Sequence, residues 1–168
     1  MKRIVQIVIL MLALTMLWGC GKKNTANVAD ANGDGALSCT LEIRCDVLLD
    51  KLDQMTEGKA ALVPEDGVLL PVTEVAFEGG ESVFDVFRKV LREEKIHFEY
   101  VDATAYSTAY VEGIGNLYEF DCGSRSGWVF SVNGVHQGIG CSAYTLADGD
   151  VIVFNYTCDL GADAGAET

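Results

Sequence analysis

The chain has 168 residues, enough for one domain with its own core, and length alone gives no reason for two. Its 12 Lys and Arg stand against 25 Asp and Glu, for a formal net charge of −13. Such a surface repels nucleic-acid phosphates and anionic lipid headgroups, which excludes DNA and RNA as partners and leaves membrane contact to a covalent lipid.

Lys2 and Arg3 open the chain, an uncharged and mostly apolar run follows through residues 4–18, and Leu17-Trp18-Gly19-Cys20 closes it. A basic start, an apolar core and a small residue at the cut make a secretory signal, and the run is shorter than the ~20 residues of a spanning helix. Leu-x-Gly-Cys resembles the lipobox of bacterial lipoproteins. That resemblance implies a signal peptide at 1–19, lipidation of Cys20, and a chain anchored on the extracytoplasmic face of a bacterial membrane.

Residues 20–38 are rich in Gly, Ala, Asn and Asp and read as a flexible tether. Asp30-Ala-Asn-Gly-Asp34-Gly35 has the first half of a calcium loop, but Leu41 stands where the closing carboxylate belongs, so no metal is expected. A single α+β domain is expected over 39–158, with a disordered tail at 159–168. From Cys39 to Cys45 apolar and charged residues alternate, which predicts a half-buried strand. Asp46 is placed to cap a helix carrying Leu48, Leu49, Leu52 and Met55 and stopped by Gly58. Residues 68–78 read as one or two strands broken at Pro71. Ser82 and Asp85 have capping-box spacing, opening a helix whose buried stripe is Val83, Val86, Phe87, Val90 and Leu91.

Strands are then predicted at 98–101, 109–114 and 117–121. Asn133-Gly134 is a strong hairpin signal within 128–135, and residues 151–157 alternate as a last long strand. This order predicts an α+β fold: a mixed sheet, one main packed helix and a C-terminal hairpin region. If the first and last strands lie parallel and adjacent, it is β-grasp-like.

From residue 81 to 157 the chain resembles the transcobalamin-like C-terminal domain, of the type called domain of unknown function 4430. The matching pieces are Gly80-Glu-Ser-Val-Phe-Asp-Val, Tyr118-Glu-Phe-Asp-Cys122-Gly, Ser126-Gly-Trp-Val-Phe-Ser-Val-Asn133-Gly, Gly140-Cys-Ser and Tyr144-Thr-Leu-Ala-Asp-Gly-Asp150. In vertebrate cobalamin carriers this module closes over one face of a corrinoid. The resemblance therefore implies that loops 123–127 and 136–140, with the region 106–110, form a ligand face. Its candidate residues are Trp128, Phe130, Tyr106, Tyr110, Tyr118, Tyr144, His136 and Gln137. Aromatic planes with polar edges suit a large flat ligand such as cobalamin. The competing expectation is a surface interaction or adhesion domain that docks a partner protein or a cell-wall glycan.

Besides Cys20 there are five cysteines, an odd number. Cys122 and Cys141 flank the hairpin and are expected to bond, stabilising by roughly 3 kcal/mol for a loop of about 20 residues. A β-grasp topology would bring Cys45 near Cys158 as a second bridge, with Cys39 left over. Local signatures of hydrolases, metalloproteases and nucleotide-binding loops are missing from the sequence, so an enzyme is not expected.

Overall fold

A computed structural model describes residues 36–103 and 108–165. Cys20, Tyr106 and the calcium-like stretch at 30–35 lie outside the described residues. The domain is mixed α+β, mostly sheet, with one α-helix among the described residues. The strands are β1 Leu37–Arg44, β2 Val68–Phe77, β3 Phe98–Ala103, β4 Thr108–Ile114, β5 Leu117–Tyr118, β6 Gly127–Val132, β7 Val135–His136 and β8 Val151–Thr157. The helix, α1, is Val83–Glu93.

Two sheets form. The larger has the order β2-β1-β8-β6-β7, and the smaller is β3-β4-β5. β1 and β8 are adjacent and parallel, pairing Leu41 with Ile152 and Ile43 with Phe154. All the other ladders are antiparallel. The alternation read in β1 is met: Cys39, Leu41 and Ile43 are buried while Glu42 and Arg44 are not. Pro71 does not break β2. It sits in an edge strand, where a missing N–H costs no ladder bond, and the register shifts there between Leu41 and Ile43.

The capping box is present: Asp85 N–H donates to Ser82 Oγ at 3.2 Å, and Ser82 N–H donates to the Asp85 carboxylate at 3.0 Å. α1 buries its predicted stripe plus Phe84. Phe87 anchors it, 4.6 Å between ring centroids from Phe154 of β8 and 5.3 Å from Phe98 of β3, so helix and both sheets share one core. Asn133 and Gly134 both take positive φ, 53° and 77°, as a tight hairpin turn requires.

Five expectations are corrected. The helix after Asp46 is instead three short 3₁₀ turns, Asp46–Leu48, Leu52–Gln54 and Ala60–Leu62. Asp46 does not cap, because Arg44 holds both its carboxylate oxygens at 2.7 and 2.6 Å. Of the expected stripe only Leu48 is fully buried, so no surface covers a continuous helical face. Residues 159–165 are ordered rather than a loose tail: Asp163 accepts from the Thr157 hydroxyl and, at 2.9 Å, from Cys158 N–H.

The remaining two corrections concern the disulfides. All five cysteines from Cys39 to Cys158 are free thiols. Cys141 does not meet Cys122; its thiol donates to Ala109 O of β4 at 3.7 Å. Cys45 does not meet Cys158, because the parallel register pairs Arg44 with Asn155. Cys45 is therefore level with Tyr156, and Cys158 lies two residues farther along, roughly 7 Å at the usual strand rise.

Candidate functional site

A cavity of about 710 Å³ opens between β4, β6, the loop after β7 and the segment after β8. Its floor is aromatic. Phe130 and Phe154 are direct partners across the β6–β8 ladder and stack with centroids 5.6 Å apart. Phe154 rests in turn on Phe87 of the helix, so the floor is backed by the core. Trp128 stands beside them, edge-on to Tyr156 at 5.2 Å. Its indole N–H donates to Leu117 O at 2.9 Å, which leaves only apolar ring surface toward the cavity.

β4 forms one wall through Thr108, Ala109, Tyr110 and Val111. The Tyr110 hydroxyl donates to Glu119 at 2.6 Å. Burial, with that carboxylate beside it, pushes the phenol up to about 12, so it remains neutral at physiological pH. Loop 136–141 forms the opposite wall and is pinned to β4 twice. Ala109 N–H donates to Ser142 Oγ at 2.8 Å, and Ala109 O accepts from the Cys141 thiol. Burial pushes that thiol up to about 12 as well, so it acts as packing rather than as a nucleophile.

His136 is the most polar feature of the lining. Its Nε2 lies 2.7 Å from Ala164 O. A carbonyl only accepts, so Nε2 donates, and Nδ1 is buried without a partner. Gln137 also faces the cavity, its side-chain amide donating to Val135 O at 2.9 Å. Three exposed aliphatic residues, Val101, Ile139 and Leu160, form the rim.

Five expected site residues thus meet at one place: Trp128, Phe130, Tyr110, His136 and Gln137. Two do not. Tyr118 points elsewhere, donating to Glu99 at 2.8 Å and lying under Lys59 at 4.5 Å, so both its hydroxyl and its ring face are occupied. Tyr144 packs on the core, and its carbonyl accepts from Val83 N–H at the start of α1. Loop 123–127 does not line the cavity with its tip; Ser126 bonds to Cys122, Gly123 and Tyr156 instead. Phe154 and Leu160 are lining residues that the sequence reading missed. The alternation of β8 marks Phe154 as inward-facing, but nothing local marks Leu160. No three His, Cys, Asp or Glu side chains among the described residues are grouped as a metal cage would need. What the arrangement offers is a concave aromatic surface with a few fixed polar groups, suited to holding a flat ligand by one face.

Residues 80–158 match the family described as "Domain of unknown function (DUF4430)". The fold is similar to haptocorrin, solved in complex with Cbi, with a TM-score of 0.55 at 15% identity over 75% of this chain. The chain spans about a quarter of haptocorrin, 26% of its length. A Ruminococcus gnavus protein, whose description proposes metal binding without establishing it, is more distant: TM-score 0.43, 12% identity, covering 72% of this chain and 96% of its own. No curated protein matches the chain. The DUF4430 match and the likeness to the haptocorrin fold agree with the module expected from the sequence motifs.

Proposed function

We propose that this chain is a non-enzymatic ligand-binding module that receives a corrinoid, or a ring system of similar shape, against the Phe130–Phe154 floor. The observation that carries this reading is the concave aromatic cavity between β4, β6 and loop 136–141. An adhesion domain would more naturally offer a flat face or an open strand edge. The continuous β2 edge instead carries Pro71 and a register shift, devices that discourage strand addition. The parallel β1–β8 pair with α1 packed against it supports a β-grasp-like description. Haptocorrin, of like fold, was solved with Cbi, which favours a corrinoid as first candidate.

A cavity of about 710 Å³ is within the range of small-molecule sites, roughly 300–1,000 Å³, and would cover one face of so large a ligand. Open presentation on a lipid anchor at Cys20, outside the cell, fits a module that hands its ligand to a partner. Loss of lipid labelling in Cys20→Ser tests the anchor.

The test of the ligand uses residues 24–168, in which Trp128 is the sole tryptophan. Titration with cobalamin and cobinamide should quench its fluorescence saturably after correction for absorption. Trp128→Phe should remove the signal while calorimetry still records binding. Neither quenching nor heat at high micromolar corrinoid would reject the small-molecule reading and leave the interaction domain in its place.

A further inference from the structure

Cys122 and Cys158 lie side by side, although they are 36 residues apart in the chain and sequence reasoning assigned each a different partner. Three independent contacts bring them together. The β6–β8 ladder pairs Gly127 with Thr157, so the next residues outward on the two strands are Ser126 and Cys158. Ser126 Oγ accepts from Cys122 N–H at 3.0 Å, which folds Cys122 back onto that ladder end. The Tyr156 hydroxyl then ties the corner, donating to Tyr118 O at 2.7 Å and lying 3.1 Å from Ser126 Oγ. These contacts bring Cys122 and Cys158 together at one end of the β6–β8 ladder.

We propose that Cys122 and Cys158 are an oxidation site, joined as a disulfide when the chain folds in an oxidising compartment. The oxidant required is another disulfide, either a small dialkyl disulfide or that of a thiol oxidoreductase. The Cys158 sulfur, which is partly exposed, attacks one sulfur of the oxidant and releases the first thiol. Cys122 then displaces the second from the mixed disulfide. One S–S bond forms and one breaks; the two protons and two electrons of the cysteine thiols leave as two thiols of the reduced oxidant.

The surroundings favour a durable bond over a responsive switch. Cys122 is buried, and the Cys158 N–H donates to Asp163, which Lys51 holds at 3.3 Å. Burial pushes the Cys158 thiol up to about 12, so exchange in the folded protein is slow. The bond is expected to form during folding and then to resist reductants. It would fix the segment that carries Leu160 to the cavity rim and Ala164 O to His136. Cys39, Cys45 and Cys141 stay reduced in the core, which accounts for the odd count.

The experiment is oxidative refolding of the full chain from denaturant in a glutathione redox mixture, alkylation, and non-reducing peptide mapping with chymotrypsin, which cuts between Cys141 and Cys158. The expected product joins the Cys122 and Cys158 peptides. It should melt on the order of 10 °C higher than the reduced protein, as a loop of this length predicts. Dithiothreitol added before refolding, Cys122→Ser or Cys158→Ser should each remove the shift. Cys45→Ser and Cys141→Ser should leave the cross-link in the map even if they lower the melting temperature. A map joining Cys122 to Cys141 or Cys45 to Cys158, or one with Cys122 and Cys158 both alkylated, would overturn the proposal.

Discussion

Gly140 lies so close to Thr108 that a Cβ built on it would stand 2.4 Å from the Thr108 Cβ. The contact joins the loop wall of the cavity to the strand wall, and neither atom is the end of a flexible side chain. Gly140→Ala should therefore separate the walls, destabilising by about 1–3 kcal/mol as overpacking does, and should weaken corrinoid binding. Gly138, in the same loop, has nothing within 4 Å of such a Cβ. Gly138→Ala should leave urea midpoint and affinity nearly unchanged. Equal effects at the two positions would show that the loop is not seated as described.

Asp85 is held below the ordinary carboxylate range chiefly by the Ser82 hydroxyl and backbone N–H, with Arg88 adding to it. Its native pKa is lowered, so its contribution to stability is present above the unfolded value and is lost as pH falls through the native one. Ser82→Ala should cost about 1 kcal/mol at neutral pH. Urea unfolding followed from neutral to acid pH should show Asp85→Asn flatter than the wild type below the usual carboxylate pKa.

Phe87 touches Phe84, Phe98 and Phe154 and has no exposed surface. Phe87→Ala should destabilise by about 3–5 kcal/mol. Since Phe154 forms the cavity floor, Phe87→Leu, which leaves a smaller hole, should retain the fold and lower affinity more than it lowers kon. Stopped-flow quenching of Trp128 separates the two rates.

The Tyr110 phenol is raised first by burial and then by Glu119. Its folded pKa exceeds the unfolded one, so the associated stability is complete below about pH 10 and is lost as pH rises toward about 12. Phenolate absorbance should show Tyr110 among the late-titrating tyrosines. Glu119→Gln should move that titration lower without returning it to the unperturbed value, because burial remains.

Elements whose local and global signals agree were legible in the sequence. α1 was visible because its cap, its stripe and its partners all agree, and β8 because seven residues alternate without interruption. The turns after Asp46 were not, because apolar spacing there imitates a helix while Arg44, two residues upstream, takes the capping carboxylate. The aromatic floor was half legible: Trp128 and Phe130 stand out near a hairpin, but that Phe154 lies opposite Phe130 depends on a ladder between strands distant in sequence. Tyr118 looked equivalent to Tyr110 on paper. They sit on different strands, and long-range contacts with Lys59 and Glu99 turn Tyr118 away from the cavity.

β8 lies between β1 and β6, bonded to strands from both ends of the domain. Until residues 151–157 are in place, β1 has only β2 beside it, and β6 has only its short hairpin partner. Assembly of the large sheet must therefore wait for the most C-terminal strand, and the sequence separation of its contacts predicts slow folding. The same placement means that a truncation just before Val151 would not merely shorten the domain but divide its large sheet into two unsupported hairpins.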